Sequence, residues 1–111
     1  MSYTPHRGDI VWLNFTPQVG HEQMGTRPAL VLSPEKYNKK TGLAVCCPIT
    51  SNIKGYPFEV VFSGKKIKGA VLADHLKILD WKVRKAKFIE KASADVVNQC
   101  SQKISALIIH E

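Results

Sequence analysis

From Arg7 to Phe15 apolar and polar positions alternate with the period of a half-buried strand, opened by Gly8-Asp9 and followed by Pro17. Thr16 to Thr26 is polar, holds two glycines and a proline, and has no period. It reads as a loop of about 11 residues, near the length at which structureless connections in small domains tend to carry function. Ala29-Leu30-Val31-Leu32 is a continuous apolar run, strand-sized, closed by Ser33-Pro34. Glu35 to Gly42 is polar, with room for one helical turn. Leu43 to Ile49 predicts a third strand, Thr50 to Tyr56 a second polar loop, and Phe58 to Phe62 a fourth strand. Ser63 to Gly69 is a basic turn. Ala70–Ala73 and Lys77–Trp81 form one further strand, broken near Asp74, and Lys85–Ile89 a sixth.

At Ser93 the period changes. Ser93 can cap a helix, and Asp95 falls in the first turn, where the helix dipole favours an anion. Val97, Cys100, Ile104, Leu107 and Ile108 then recur along one helical face. Many short strands with turn signals and one terminal helix predict a mainly β fold: a small, strongly bent antiparallel barrel with a helix packed on it. No repeat, linker or low-complexity stretch interrupts the 111 residues, so residues 1–111 form a single domain.

Composition narrows the class. The apolar fraction is 44% and the charged fraction 23%, ordinary for a water-soluble chain. No apolar run approaches the roughly 20 residues that span a bilayer, and no apolar core follows a basic start at the N-terminus. The expectation is a cytoplasmic protein with no membrane partner. Cys46, Cys47 and Cys100 include no Cys-x-x-Cys, and neighbouring Cys46 and Cys47 point to opposite faces of a strand. They read as reduced, buried thiols. His6, His21, His75 and His110 lack ligand spacing, so neither a metal nor another cofactor is expected.

Charge adds a partner class. The chain carries 16 Lys and Arg against 9 Asp and Glu, net +7. Residues 65–91 alone hold nine basic and three acidic side chains, a local +6. Such a field attracts polyanions and speeds their encounter. Nucleic acid is the first candidate partner and an acidic protein tail the second; a merely well-solvated surface is the alternative that charge alone leaves open.

The densest polar cluster lies in the first loop, where His21, Glu22, Gln23 and Arg27 fall within seven residues. Pro28 fixes its own φ and sets Arg27 in an extended conformation at a strand entrance. The arginine fork suits phosphate oxygens, or it could pair with Glu22 and close the loop. Thr50, Ser51 and Asn52 put hydroxyls and an amide at a strand end, where such groups can meet a phosphate or cap a turn. Asp74 and His75 are adjacent, and on a strand they would face opposite ways. No nucleophile elbow, phosphate-binding glycine loop or pair of carboxylates is present.

The run from Gly20 to Pro34, Gly-His-Glu-Gln-Met-Gly-Thr-Arg-Pro-Ala-Leu-Val-Leu-Ser-Pro, resembles the signature of the MazF/PemK family of bacterial toxin endoribonucleases. The likeness continues through Gly8-Asp9 with Trp12 and Phe15, Tyr37-Asn38 with Thr41-Gly42, Pro48-Ile49-Thr50, and Lys54-Gly55-Tyr56-Pro57-Phe58-Glu59-Val60. Gly69, Leu72-Ala73-Asp74 and Trp81 extend it over nearly the whole chain. The resemblance implies an SH3-like barrel, a homodimer and metal-independent cleavage of single-stranded RNA. In that reaction the ribose 2′-hydroxyl attacks the neighbouring phosphate, leaving 2′,3′-cyclic phosphate and 5′-hydroxyl ends. It also implies a cognate antitoxin whose acidic C-terminal tail blocks the RNA site.

By the same resemblance, Arg27 matches the family's catalytic arginine and Thr50 its active-site threonine. Glu22 matches a loop carboxylate, and His21 a histidine implicated in the PemK branch. An always-charged arginine suits charge stabilisation rather than proton donation, which leaves Glu22 or His21 as the base. Where the PemK branch has an arginine two residues before Asp74, this chain has Leu72, as in the MazF branch. Trp12, Phe15 and Phe58 are candidates to stack bases; Gln23, Lys54, Lys77 and Arg84 are candidates to contact RNA. The rival on this fold is a non-catalytic poison of DNA gyrase, which relies on a Trp-Gly-Ile-type terminus; here the chain reads Leu107-Ile108-Ile109-His110-Glu111. A passive RNA-binding module is the third reading, and it has no need of Arg27 and Thr50 together.

Overall fold

A computed structural model describes residues 3–16 and 25–109. Seven strands and two α-helices follow in the order β1 (Asp9–Asn14), β2 (Thr26–Val31), α1 (Glu35–Thr41), β3 (Leu43–Thr50), β4 (Glu59–Ser63), β5 (Lys68–Leu72), β6 (Lys77–Asp80), β7 (Lys87–Lys91) and α2 (Ala94–Ile108). A 3₁₀ turn over Ala73–His75 separates β5 from β6, so the break expected near Asp74 is present. The strands run β4-β5-β3-β2-β1-β7, every pairing antiparallel, with β6 also on β3.

The curl comes from β3. One of its edges pairs with β2 over residues 46–48. The other pairs with β6 over residues 43–46 and then with β5 at Ile49 and Thr50. One eight-residue strand thus passes from one sheet surface into the next. An irregularity between Ile10 and Val11 bends β1 against β7 in the same sense.

The period of two divides the core. Ile10, Leu30, Cys47, Ile49, Val60, Val71 and Ile89 pack with Val96 and Cys100 of α2. Their strand neighbours Val11, Ala29, Val31 and Cys46 face the other way, into a cluster with Leu13, Phe15, Ala44 and Trp81. Cys46 and Cys47 therefore do lie on opposite faces. Both strand faces are covered, and for that reason the runs Ala29–Leu32 and Leu43–Cys47 lack the polar alternation of a one-sided sheet. Burial raises the thiols, Cys46 to about 12 and Cys100 to about 11. They stay protonated and act as small apolar groups.

Ser93 caps α2, its Oγ accepting from the Val96 amide at 3.2 Å. The helical face continues beyond the barrel: Val96 and Cys100 are buried, but Leu107 and Ile108 are 50% and 76% exposed. Sequence periodicity places them on the packed stripe; the strands end before the helix does. Trp81 Nε1 donates to the carbonyl of Asn38, whose side chain is fully buried and bonds Ser33 and the Pro5 carbonyl. This network fixes α1, which is twice the single turn expected, and the N-terminal segment against the barrel. No helix among the described residues is long and apolar enough to cross a membrane.

Candidate active site

At one end of the barrel β2 and β3 part. Their register closes at Ala29 opposite Pro48. Carried two residues further, it would set Arg27 against Thr50, but the β2–β3 pairing stops before them, and Thr50 pairs on its other edge with Ala70 of β5. Both residues thus lie two positions past the last β2–β3 pair, at the end of the barrel that forms its mouth. Arg27 is exposed, with its backbone opposite Leu13; Pro28 lies opposite Trp12. Trp12 is 37% exposed, so part of its ring faces solvent, on the strand face opposite that of Arg27.

Thr50 is held by two features. Its Oγ1 accepts from the Asn52 amide at 3.0 Å, which leaves the hydroxyl proton to donate elsewhere. Its carbonyl is met closely by Gly69, where an added Cβ would lie 2.2 Å from Thr50 O. Only glycine permits that approach.

The first loop leaves the mouth from β1 and returns into β2. The Phe15 amide donates to Gly25 O at 2.8 Å, and the Gly25 amide to Thr16 Oγ1 at 3.0 Å. Arg84 Nη1 donates to the carbonyls of Asn14 and Thr16, both at 3.1 Å. Arg84 therefore clamps the foot of the loop. It also lines a cleft of about 540 Å³ with Trp12, Asn14, Thr26, Lys85 and Lys87. His21, Glu22 and Gln23 lie outside the described residues.

The second loop leaves β3 just past Thr50. Ser51 to Pro57 are all exposed, including Ile53, Lys54 and Tyr56. The loop closes on Glu59, 8% exposed at the start of β4. Glu59 Oε1 accepts from the amides of Lys54, Gly55 and Tyr56 at 3.2, 2.8 and 3.2 Å, and Oε2 from Lys54 at 3.1 Å. Gly55, at φ +81°, gives the left-handed turn that lets three successive amides converge. Lys103 of α2 donates to Pro57 O.

The remaining sequence candidates scatter. Phe15 is 4% exposed and belongs to the core, so it offers no face to a base; the strand period runs one residue further than its polar neighbours suggest. Phe58 is half-buried. Lys77 pairs with Cys46, four residues up β3 from Thr50, and stands away from the mouth. Asp74 and His75 do not face opposite ways as on a strand: the 3₁₀ turn brings His75 Nε2 within 3.8 Å of Asp74 Oδ1, on the surface. Sequence reasoning gives Glu59 and Glu90 no role. Glu90 Oε1 and Oε2 accept from the amides of Lys65, Lys66 and Ile67 at 3.0, 2.9 and 2.7 Å, a pairing across more than 20 residues that no local motif announces. The one signal for Glu59 is a glycine four residues before a carboxylate.

Comparison with known proteins adds the following. The profile of a family described as PemK-like, MazF-like toxin of type II toxin-antitoxin system matches residues 6–108. The endoribonuclease toxin MazF of Escherichia coli (strain K12) is 45% identical over 106 residues, 96% of each chain. A crystal structure of MazF from Deinococcus radiodurans superposes with a TM-score of 0.92 at 53% identity, covering 96% of this chain and 98% of that one. A MazE-MazF complex from the same organism gives 0.88 at 53% identity, over 96% and 97%.

Proposed function

This chain belongs to the PemK-like, MazF-like toxins of type II toxin–antitoxin systems and is an endoribonuclease; we propose that it cleaves single-stranded RNA without a metal, at the mouth between β2 and β3. What supports the site is that Arg27 and Thr50, 23 residues apart in sequence, both lie just past the last β2–β3 pair at the same end of the barrel.

The reaction is an internal transfer. The 2′-oxygen bonds to the adjacent phosphorus, its proton passes to a base, and the bond from phosphorus to the 5′-oxygen breaks as that oxygen takes a proton. The products are a 2′,3′-cyclic phosphate and a 5′-hydroxyl. Arg27 donates to the non-bridging oxygens as charge builds on them, and the free Thr50 hydroxyl proton adds a further bond. Glu22 or His21 is the base, carried by the loop whose two feet are pinned at Phe15–Gly25. Trp12 offers a stacking face, and Lys54 and Gln23 are further contacts for the RNA.

The partners follow from the same reading. A cognate antitoxin with an acidic tail suits the local +6 of residues 65–91. A second copy of the chain suits two bare apolar features among the described residues: β6, paired only with β3 and exposing Ile78, with Leu76 exposed just before it, and the α2 end with Leu107, Ile108 and Ile109. Purified protein incubated with a mixed-sequence RNA in EDTA should cut it, leaving ends that map as cyclic phosphate and 5′-hydroxyl. Cleavage only on adding a divalent metal overturns the metal-free step. Light scattering at micromolar concentration should give twice the chain mass, and a monomer mass removes the dimer.

A further inference from the structure

We infer that Glu59 is a positioning residue that selects which RNA sequence is cut, by holding the loop Ser51–Pro57 in one conformation against the mouth. The inference rests on the RNA-cleavage reading above and adds a residue which that reading does not use.

The loop begins at Thr50 itself, so its shape and the placement of that hydroxyl are joined through the Asn52 amide. Its exposed surface is of the kind that meets single-stranded nucleotides: Tyr56 is 61% exposed, Ile53 is 47% exposed, and Lys54 projects from the same turn. A seven-residue polar segment with this little burial would sample many conformers if left alone. Three anchors restrict it: the Thr50 turn at one end, Lys103 on the Pro57 carbonyl at the other, and the Glu59 carboxylate on the three central amides. Glu59 is the central one and is itself fixed, its backbone paired with Leu72 of β5 and its amide donating to Tyr56 O at 3.1 Å. A carboxylate with two oxygens can take up all three amides; no neutral side chain offers that capacity. Order imposed before RNA arrives lets the loop discriminate between base sequences, because a mobile loop adapts to many.

The test compares the full-length wild type with Glu59→Gln and Glu59→Ala on one mixed-sequence RNA, reading every cut site, KM and kcat, with melting temperature and amide hydrogen exchange at residues 54–56 measured on the same samples. In Glu59→Ala the three amides should exchange faster, KM should rise about tenfold with kcat changed less, and the set of cut sites should broaden. Glu59→Gln keeps one acceptor oxygen and should fall between. If either variant loses the fold, the other decides. A folded variant with fast-exchanging amides but the wild-type KM and cut sites overturns the inference, as does one whose amides stay protected. Wild-type protein that leaves RNA intact overturns the parent reading; the exchange data then still report on the anchor separately.

Discussion

Two loops of the molecule rest on one device, three successive backbone amides gathered onto a carboxylate. At residues 54–56 the carboxylate is Glu59, three to five positions along the chain and nearly buried. At residues 65–67 it is Glu90, more than 20 positions away on β7 and at the surface. The local pairing shapes one loop and touches little else. The distant one joins the last strand to the turn between β4 and β5, hence the two ends of the strand order β4-β5-β3-β2-β1-β7. An anchor spanning the chain counts in global unfolding, whereas a local one can be lost while the rest stays folded. The same chemistry thus shapes a single loop in one place and closes the seam of the barrel in the other, and sequence separation decides which.

The largest expected effect fixes the mouth as the reactive side. Arg27→Ala should slow single-turnover cleavage by about two to three orders of magnitude, the usual loss when one preorganised donor is removed. Its melting temperature should match the wild type. If Arg27 only closes the first loop, stability and activity should instead fall in step. Gly69→Ala probes the point where β5 meets Thr50. With Thr50 O only 2.2 Å from the new Cβ, backbone must move, and a loss of about 2 kcal/mol or more in denaturant unfolding is expected. A variant as stable and active as the wild type would mean the strands part there at no cost.

The seam should answer to pH. Partial desolvation opposes ionisation of Glu90, but the amides of Ile67, Lys66 and Lys65 and the charge of Lys66 outweigh it and hold the carboxyl below the usual range. Its stabilisation is therefore complete above the ordinary carboxylate pKa of about 4.3 and is lost as pH falls through the lowered folded value. Glu90→Gln should melt roughly a few degrees lower than wild type at pH 7, with the gap narrowing toward pH 3 and the cut sites unchanged. A gap that is constant with pH would show that Glu90 contributes through packing instead. Smallest is the charge term: Lys65→Ala with Lys66→Ala should each lower the salt slope of RNA binding by about one, with little change in cleavage rate on bound RNA.

The sequence by itself determined the elements and the class of chemistry. Alternation marks β1, continuous apolar runs mark the two-sided strands β2 and β3, and the change of period with a capping serine marks α2; these signals are local, fixed by backbone geometry and side-chain burial within a few residues. Arg27 at its Pro28 hinge and Thr50 at a strand end stand out as candidates for the same reason, since residue type and immediate neighbours state what each can do. Tertiary structure alone decided where each stands. The bend of β3 brings Thr50 onto β5, while its pairing with β2 ends two residues short of Arg27. The second core cluster takes Phe15 inward. The 3₁₀ turn places Asp74 beside His75. Arg84 becomes a clamp on carbonyls some 70 positions earlier, and Glu90 a latch across the barrel. Each is a contact between segments whose separation carries no local pattern, and only closing the sheet on itself brings their backbone donors and acceptors within bonding distance.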